Sequence, residues 1–202
     1  MMKLLTAPAS PFGRKVKMCA IMKGVLPQIE ILLPDIGAPF HEALRRENPL
    51  SKVPVLIRED GSPLYDSPVI CEYLDSLAPE PRLIPPAGPE RFRTLTLAAL
   101  GDGIADAAVL IIYEKRFRPP EMWVQTWVDR QQLKVDSGLD DLEAAPPAWG
   151  AHPDYGHIAI ASVLGYLDFR LEGKWRAGRP RLVAWLDKFA AEVPAWAESR
   201  PS

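Results

Sequence analysis

Two serine–proline pairs stand where the sequence pattern predicts that helices begin: Ser10-Pro11 and Ser67-Pro68. Serine is a favoured N-cap and proline a favoured first helical residue, so capping alone can explain both pairs. A helix N-terminus also offers free N–H groups and the positive end of the helix dipole, which suit an anionic ligand group. Ser10 directly follows the first predicted strand, so we expect its hydroxyl at the carboxyl edge of a sheet, where α/β folds bind ligands. The pattern alone leaves both interpretations open.

The segment between residues 48 and 68 combines three backbone signals. Val53-Pro54 begins a β-type run, and an X-Pro bond there belongs at a strand edge and can be cis at little cost. Asp60-Gly61 is a tight hairpin signal flanked by apolar residues. Asp66-Ser67-Pro68 then opens a helix with apolar periodicity. We interpret the segment as a backbone shaped to bind a ligand.

Other residues that could carry chemistry form weaker patterns. The histidines share no spacing, which favours surface or core positions over ligation; they are His41, His152 and His157. Cys19 and Cys71 lack metal-type spacing and lie on apolar faces of predicted helices, so we interpret them as buried small hydrophobes. Asp102 and Asp106 lie one turn apart on a long predicted helix, where they either line a cleft or form a polar face. We predict no metal site.

Composition limits the classes of function. The chain has 202 residues, of which 48% are hydrophobic and 25% charged, as is usual for a soluble globular protein of one or two domains. A net charge of -2 provides no basic field to attract nucleic acid or an anionic membrane. The longest apolar stretch, from Ala105 to Tyr113, is interrupted by Asp106 and is too short for a membrane span. With no signal-peptide pattern at the N-terminus, we expect a cytoplasmic protein.

Short β-like runs alternate with helical patterns in the first part of the chain and predict the order β-α-β-α-β-β-α. The predicted strands cover residues 3–6, 28–33, 53–57 and 63–65, and the second helix covers 40–46. Strand–helix–strand units imply parallel pairing and the hairpin adds antiparallel strands. Residues 1–78 are therefore predicted to form an α/β domain with a mixed sheet.

The rest of the chain is predicted to be helical. A stiff, proline-rich linker is expected over residues 79–88. An all-helical domain follows over residues 89–202, with helices at 89–117, 121–142, 158–169 and 180–192. The third of these is apolar on every side, which is typical of a central buried helix, and Asp154 is a plausible N-cap for it.

The whole chain resembles the glutathione S-transferase superfamily, most of all its small bacterial members. The matching motifs, specific in this order and spacing, are Ser10-Pro11-Phe12 with Arg14-Lys15-Val16, Asn48 to Leu56, Tyr65 to Ile70, and Ile158 to Ala161. The resemblance implies a thioredoxin-like N-terminal domain with a mixed four-stranded sheet and an all-helical C-terminal domain. It also implies glutathione as co-substrate and a homodimer.

The resemblance further implies roles for individual residues. Ser10 would donate a hydrogen bond to the glutathione sulfur, which favours the thiolate and lowers the pKa of the thiol. Val53, just before the cis-proline Pro54, would offer its backbone N–H and C=O to the cysteinyl part, like an added strand. Asp66 and Ser67 would hold the γ-glutamyl end through its amino group and carboxylate.

The expected reaction follows from these roles. Lys52 could meet the glycyl carboxylate, although a lysine beside a strand is equally well explained as solvated. A second, electrophilic substrate is expected between Ser10-Pro11-Phe12 and the long helix around residues 101–113. The leading hypothesis is a Ser-type glutathione transferase acting on small apolar electrophiles. Two alternatives remain: a glutathione-binding regulatory or partner module with little transferase activity, and a glutathione-dependent reductase or peroxidase.

Two positions depart from common patterns of the family. Position 10 carries serine rather than cysteine, which argues against glutaredoxin-like disulfide exchange there. The core helix of the second domain usually begins with a Ser/Thr-x-x-Asp capping box, whereas this chain has Asp154 and His157. Because His157 cannot supply the carboxylate, we predict that only half of the box is kept.

Overall fold

The computed structural model describes residues 1–34 and 42–201. The chain divides into two compact units: Met1–Arg91 with Val193–Ser202, and Phe92–Glu192. His41 and the first residues of the helix predicted at 40–46 lie outside the described residues. Each unit is described by itself below.

The first unit contains a four-stranded sheet with the order β2-β1-β3-β4. Its strands are β1 (Met2–Leu5), β2 (Ile29–Leu32), β3 (Val55–Ile57) and β4 (Pro63–Leu64). β1 pairs with β2 in parallel and with β3 antiparallel, and β3 pairs antiparallel with β4. The predicted mixed sheet is confirmed. β3 begins two residues later than predicted, at Val55, and the proline before it has no N–H to donate to a ladder.

The helices are α1 (Pro11–Met22), α2 (Glu42–Glu47), α3 (Ser67–Ser76), α4 (Gly88–Phe117), α5 (Gln125–Ala144), α6 (Tyr155–Arg170), α7 (Pro180–Glu192) and α8 (Pro194–Glu198). α1 and α3 pack together in the first unit. Cys19 on α1 and Cys71 on α3 are both buried and free, which confirms their interpretation as small core residues. Burial, together with the hydrogen-bonded Cys71 thiol, raises the pKa of the Cys19 thiol.

The short helix α8 was not predicted, and it returns to the first unit from the end of the chain. Arg14 of α1 holds it: the guanidinium lies 3.8 Å from the centre of the Trp196 ring. The same guanidinium donates to the Trp196 carbonyl at 3.0 Å and to the Ser199 hydroxyl at 3.3 Å. A buried arginine with two acceptors and an aromatic face thus joins residues far apart in sequence.

A second buried cation anchors the proline-rich segment. Lys23 Nζ lies 3.1 Å from Asp75 Oδ1 and donates to the carbonyls of Ala78 and Pro81 at 2.6 and 2.7 Å. Asp75 also accepts from the backbone N–H of Leu83 at 2.9 Å. The segment after α3 is therefore fixed by charge-assisted hydrogen bonds to α1 and α3.

In the second unit, α6 is buried on every side over most of its length, as its sequence predicts. α4 packs closely beside it at Gly101, where an added Cβ would lie 2.9 Å from the backbone carbonyl carbon of Ala159. α4 is long and apolar enough to cross a membrane, whereas the sequence predicts an apolar stretch too short for a span. Length and composition are the whole criterion, and core helices of soluble proteins also meet it. Its buried residues include Ala98, Ala105 and Ala108.

The cap of α6 corrects one prediction. Asp154 accepts a hydrogen bond from the backbone N–H of His157 at 3.2 Å, and the Asp154 N–H lies 3.2 Å from Nδ1 of His157. The capping box is therefore complete, and the prediction that His157 leaves it half kept was wrong. An unprotonated imidazole nitrogen accepts a hydrogen bond as a carboxylate does, while Nε2 lies 3.2 Å from the Ala148 carbonyl. The same Nδ1, if protonated, would instead donate to Asp154 Oδ1 at 2.6 Å.

Candidate active site

Three segments of the first unit meet at one edge of the sheet. The register pairs Leu5 with Val55 and Leu56 with Leu64. Because both pairs are antiparallel, the carboxyl ends of β1 and β4 lie beside the N-terminal end of β3. The segments at this edge carry most of the residues singled out from the sequence: Ser10, Phe12, Lys52, Val53, Pro54, Asp66 and Ser67.

Ser10 forms the N-cap of α1. Its backbone is extended, Pro11 is the first helical residue, and its Oγ accepts a hydrogen bond from the Gly13 N–H at 3.1 Å. This bond uses a lone pair of the oxygen and leaves the hydroxyl proton without an acceptor among the described residues. Ser10 and Phe12 are both half-buried, so a ligand can reach them. The capping and functional interpretations of Ser10 are therefore compatible.

The Val53–Pro54 peptide bond is cis, as expected. Asn48 shapes the loop before it by donating from Nδ2 to the Lys52 carbonyl at 3.0 Å and accepting from the Leu50 N–H at 3.0 Å. The side chain of Val53 packs against the core cluster around Val55. Its backbone N–H and C=O bond to no other described residue, so this edge can accept a strand-like ligand.

The N-terminus of α3 forms the third part of the site. Asp66 is its N-cap, yet its exposed carboxylate makes no capping hydrogen bond. Ser67 is buried, with Pro68 next, and the first turn closes through a bond of 3.0 Å from the Ile70 N–H to the Asp66 carbonyl. Neither the Asp66 carboxylate nor the exposed Lys52 ammonium has a described partner. A carboxylate and a helix N-terminus are thus available for a ligand that carries both an amino and a carboxylate group.

The second unit contains an apolar groove of about 520 Å³. It runs from the last turns of α4 to the start of α5, and its lining residues are Leu110, Tyr113, Glu114, Phe117, Arg118, Val124 and Trp127. Glu114 pairs with Arg118 and accepts from the Val124 N–H at 2.9 Å, which holds the connecting segment against α4. Hydrogen bonds from Arg118 and Val124 lower the pKa of Glu114. The substrate surface expected around residues 101–113 shares Leu110 and Tyr113 with this groove, and the other lining residues lie outside that range.

The remaining candidates do not join these groups. Asp102 is half-buried and Asp106 is exposed on α4, and both have interaction partners. His152 lies beside the Pro153 carbonyl and His157 belongs to the cap of α6. Within residues 1–34 and 42–201, no three His, Cys, Asp or Glu side chains are grouped as metal ligands would be.

Comparison with known proteins assigns the family. The model of the glutathione S-transferase N-terminal domain matches residues 4–82, and that of the C-terminal domain matches residues 125–188. The chain belongs to the glutathione S-transferase family. Among curated relatives, the uncharacterized GST-like protein YibF of Escherichia coli is 34% identical over 186 residues, which are 90% of each chain.

Solved members of the glutathione S-transferase family share the whole fold. A family member from Pseudomonas fluorescens Pf-5, with bound glutathione, superposes with a TM-score of 0.93 at 39% identity and full coverage of both chains. The same relative has been solved with S-(propanoic acid)-glutathione, with a TM-score of 0.89. A glutathione S-transferase from Methylobacillus flagellatus KT with bound glutathione gives 0.91 at 32% identity, again with full coverage. The thioredoxin-like first domain and helical second domain are thereby confirmed.

Proposed function

We propose that this protein is a Ser-type glutathione transferase that conjugates the glutathione thiolate to small apolar electrophiles. The proposal rests mainly on the hydrogen bonding of the Ser10 hydroxyl. Its oxygen is engaged by Gly13 at 3.1 Å, while its proton remains available at a sheet edge shared with a cis-proline and the N-terminus of α3. The family and two glutathione-bound relatives support the same ligand.

In this proposal, glutathione extends along the loop before β3. The backbone groups of Val53, which bond to no other described residue, bind the cysteinyl residue as an added strand would. The Ser67 hydroxyl and the N-terminus of α3 bind the γ-glutamyl carboxylate, and Asp66 binds the amino group. Lys52 neutralises the glycyl carboxylate. Each charged group at the two ends of glutathione thus meets a protein group of opposite charge or the positive end of a helix dipole.

Ser10 then acts on the sulfur. Its hydroxyl donates to the bound thiolate, and this bond stabilises the charged form and lowers the thiol pKa. The N-terminus of α1 adds a favourable field for the same charge. The thiolate attacks an electrophilic carbon, a carbon–sulfur bond forms, and the electron pair leaves with the departing group or takes up a proton after addition. Serine forms no covalent bond.

The electrophile is proposed to be apolar and often aromatic because the groove on α4 and α5 is lined by such side chains. Tyr113 and Trp127 present partly exposed rings, and the groove has the volume of a small-ligand site. The bound S-(propanoic acid)-glutathione of the P. fluorescens relative supports a site that accepts a substituent on sulfur.

We also propose a cytoplasmic homodimer with a detoxification role, in line with the family resemblance.

The test is a panel of aromatic and aliphatic electrophiles assayed with glutathione. Tyr113→Ala is expected to raise the KM of the best apolar electrophile about tenfold, because it removes about 1.5 kcal/mol of apolar contact, and to leave the KM of glutathione unchanged. Leu133→Ala, an exposed site on α5 outside the groove, is the control. Glutathione binding without turnover of any electrophile would favour the binding-module alternative, and turnover of disulfides or peroxides alone would favour the reductase or peroxidase.

A further inference from the structure

A buried hydroxyl near Ser10 has no hydrogen-bond partner among the described residues. Thr6 directly follows β1, and its backbone N–H extends the pairing with β2 by donating to the Leu32 carbonyl at 3.0 Å. Its side chain is 3% exposed, and its Oγ1 is buried without a hydrogen-bond partner among the described residues. An unsatisfied buried hydroxyl costs about 1–3 kcal/mol, and valine would fill the same volume without that cost. The polar atom therefore calls for a functional explanation.

The position of this hydroxyl links it to the cap of α1. A Cβ added to Gly13 would lie 1.9 Å from Thr6 Oγ1 and 3.4 Å from Ser10 Cβ. The Thr6 hydroxyl thus occupies the space where any larger residue at position 13 would put its side chain. Gly13 is also the residue whose N–H donates to Ser10 Oγ. Both hydroxyls therefore lie close to the same glycine at the start of the helix.

The Ser10 hydroxyl has one hydrogen-bonding position that a second hydroxyl could fill. Ser10 Oγ has two lone pairs and one proton, and the Gly13 N–H takes one lone pair. With glutathione bound, the proton is directed to the sulfur and one lone pair is left. For the Thr6 proton to reach that lone pair, the Thr6 side chain would rotate about its Cα–Cβ bond or a bound water would bridge the two hydroxyls. A hydroxyl that accepts two hydrogen bonds is a stronger donor, so its bond to the thiolate is strengthened.

We propose that Thr6 is a positioning residue of the transferase site, which acts through Ser10 by orienting its hydroxyl toward the glutathione sulfur. This inference rests on the proposed function. It assigns no contact between Thr6 and the substrate. It also explains why the chain pairs threonine at position 6 with glycine at position 13, since a Cβ at position 13 would displace the hydroxyl.

The test compares variants that differ by one hydroxyl, with the pKa of bound glutathione read from its thiolate absorbance over a pH titration. Thr6→Val is expected to raise that pKa by about 0.5–1 unit, the equivalent of one ordinary hydrogen bond, and Thr6→Ser to keep the wild-type value. The melting temperature of Thr6→Val should match or exceed the wild type, because no native hydrogen bond is lost. If Thr6→Val does not fold, Thr6→Ala against Thr6→Ser provides the same comparison.

A second arm separates this role from others. In a Ser10→Ala background, Thr6→Val should cause no further shift, because the residue acts through Ser10. An equal shift in both backgrounds, an unchanged thiol pKa in Thr6→Val, or a loss of stability that Thr6→Ser shares would each overturn the inference. If the wild-type protein itself does not lower the thiol pKa, the proposed function fails. If it does and Thr6→Val matches it, only the role of Thr6 fails.

Discussion

Ser10 can cap α1 and still donate a hydrogen bond, because a hydroxyl group has two lone pairs that accept and one proton to donate. Its sequence context predicts the cap, and the structure adds that the capping bond comes from Gly13 at 3.1 Å. Gly13 is thus as important as Ser10 for the geometry of this turn. Its lack of a side chain leaves room for Thr6.

Gly13→Ala tests this packing. Alanine favours helix by about 1 kcal/mol over glycine, yet its Cβ would lie 1.9 Å from Thr6 Oγ1, so we expect a net loss of stability and weaker glutathione binding. Chemical denaturation and calorimetric titration with glutathione measure the two effects. Thr6→Ala combined with Gly13→Ala removes the 1.9 Å contact but keeps one of 3.3 Å to the Cβ of residue 6, so it should recover part of both. A single Gly13→Ala variant as stable as the wild type would contradict the packing described here.

At this scale the sequence predicts residues with strong local signals and misses those defined by their surroundings. Ser10-Pro11 and Val53-Pro54 carry helix-cap and cis-proline patterns that can be interpreted along the chain. Thr6 carries none, since an unpaired hydroxyl is recognisable only when burial is known. His157 shows the opposite limit: its spacing from Asp154 marks a capping box, but the pattern does not show that an imidazole nitrogen can replace the carboxylate as acceptor.

The start of α6 shows how one carboxylate can organise an element. Asp154 accepts from the His157 N–H, the Thr94 hydroxyl at 2.7 Å and the Arg93 guanidinium at 2.8 Å. Burial by itself would raise the pKa of Asp154. Hydrogen bonds from His157 (from Nδ1 in its protonated form and from the backbone N–H) and from the Thr94 hydroxyl outweigh burial and hold that pKa well below its usual range. α6 is thereby tied at its N-terminus to α4.

A pH dependence follows from this depressed pKa. The carboxyl of the unfolded chain has a pKa of about 3.9, so the stabilisation is fully present above that value and is lost as the pH falls through the lower folded pKa. Asp154→Asn is expected to lower the free energy of unfolding at neutral pH by about 1–2 kcal/mol and to flatten the decline below about pH 5. Urea denaturation across a pH series measures both. Asp129→Asn, at an exposed site on α5, is the control, and the same acid slope in both variants would refute the assignment.

Elements with strong periodicity were predicted closely, and those shaped by local or tertiary context were not. α7 matches its predicted bounds, Pro180–Glu192, and α4 starts one residue early. α5 begins at Gln125, four residues late, because the preceding residues form a short 3₁₀ turn at Pro120–Met122. α8 is five residues long and too short for a periodic signal. Its position depends on Arg14, which lies at the other end of the chain.

At the scale of the molecule, the chain ends in the unit where it began. α8 belongs to the first unit through Arg14, whose guanidinium contacts the Trp196 ring at 3.8 Å. The sequence predicts the change from a mixed sheet to helices. It does not predict that α8 packs in the first unit, because nothing in the sequence around Arg14 indicates which distant residue it contacts. The site helix α1 is therefore supported by residues about 180 positions away.

Trp196→Ala tests this support. Trp196 is 8% exposed, so truncation should lower the free energy of unfolding by about 3–5 kcal/mol and reduce the hydrogen-exchange protection of α1. Trp127→Ala is the control, because Trp127 is 42% exposed and lies in the other unit. A loss of hydrogen-exchange protection confined to α8 would contradict the claim that Trp196 of α8 supports α1.

The homodimer implied by the family resemblance is a prediction at the same scale. Sedimentation equilibrium at micromolar protein concentration should give twice the chain mass of 22.4 kDa. The expected mass does not depend on glutathione, because no part of the proposed glutathione site requires a second chain. A mass of 22.4 kDa at every concentration would contradict the dimer and leave the proposed chemistry untouched.

The proposed chemistry depends on a single hydrogen bond from Ser10 to sulfur. The decisive measurement is the thiolate absorbance of bound glutathione across a pH titration, in the wild type and in Ser10→Ala. We predict that the wild type lowers the thiol pKa below that of free glutathione, and that Ser10→Ala still binds glutathione but raises this pKa by about 1–2 units, the worth of a hydrogen bond to a charged group. Bound glutathione with the same thiol pKa in both proteins would contradict the account.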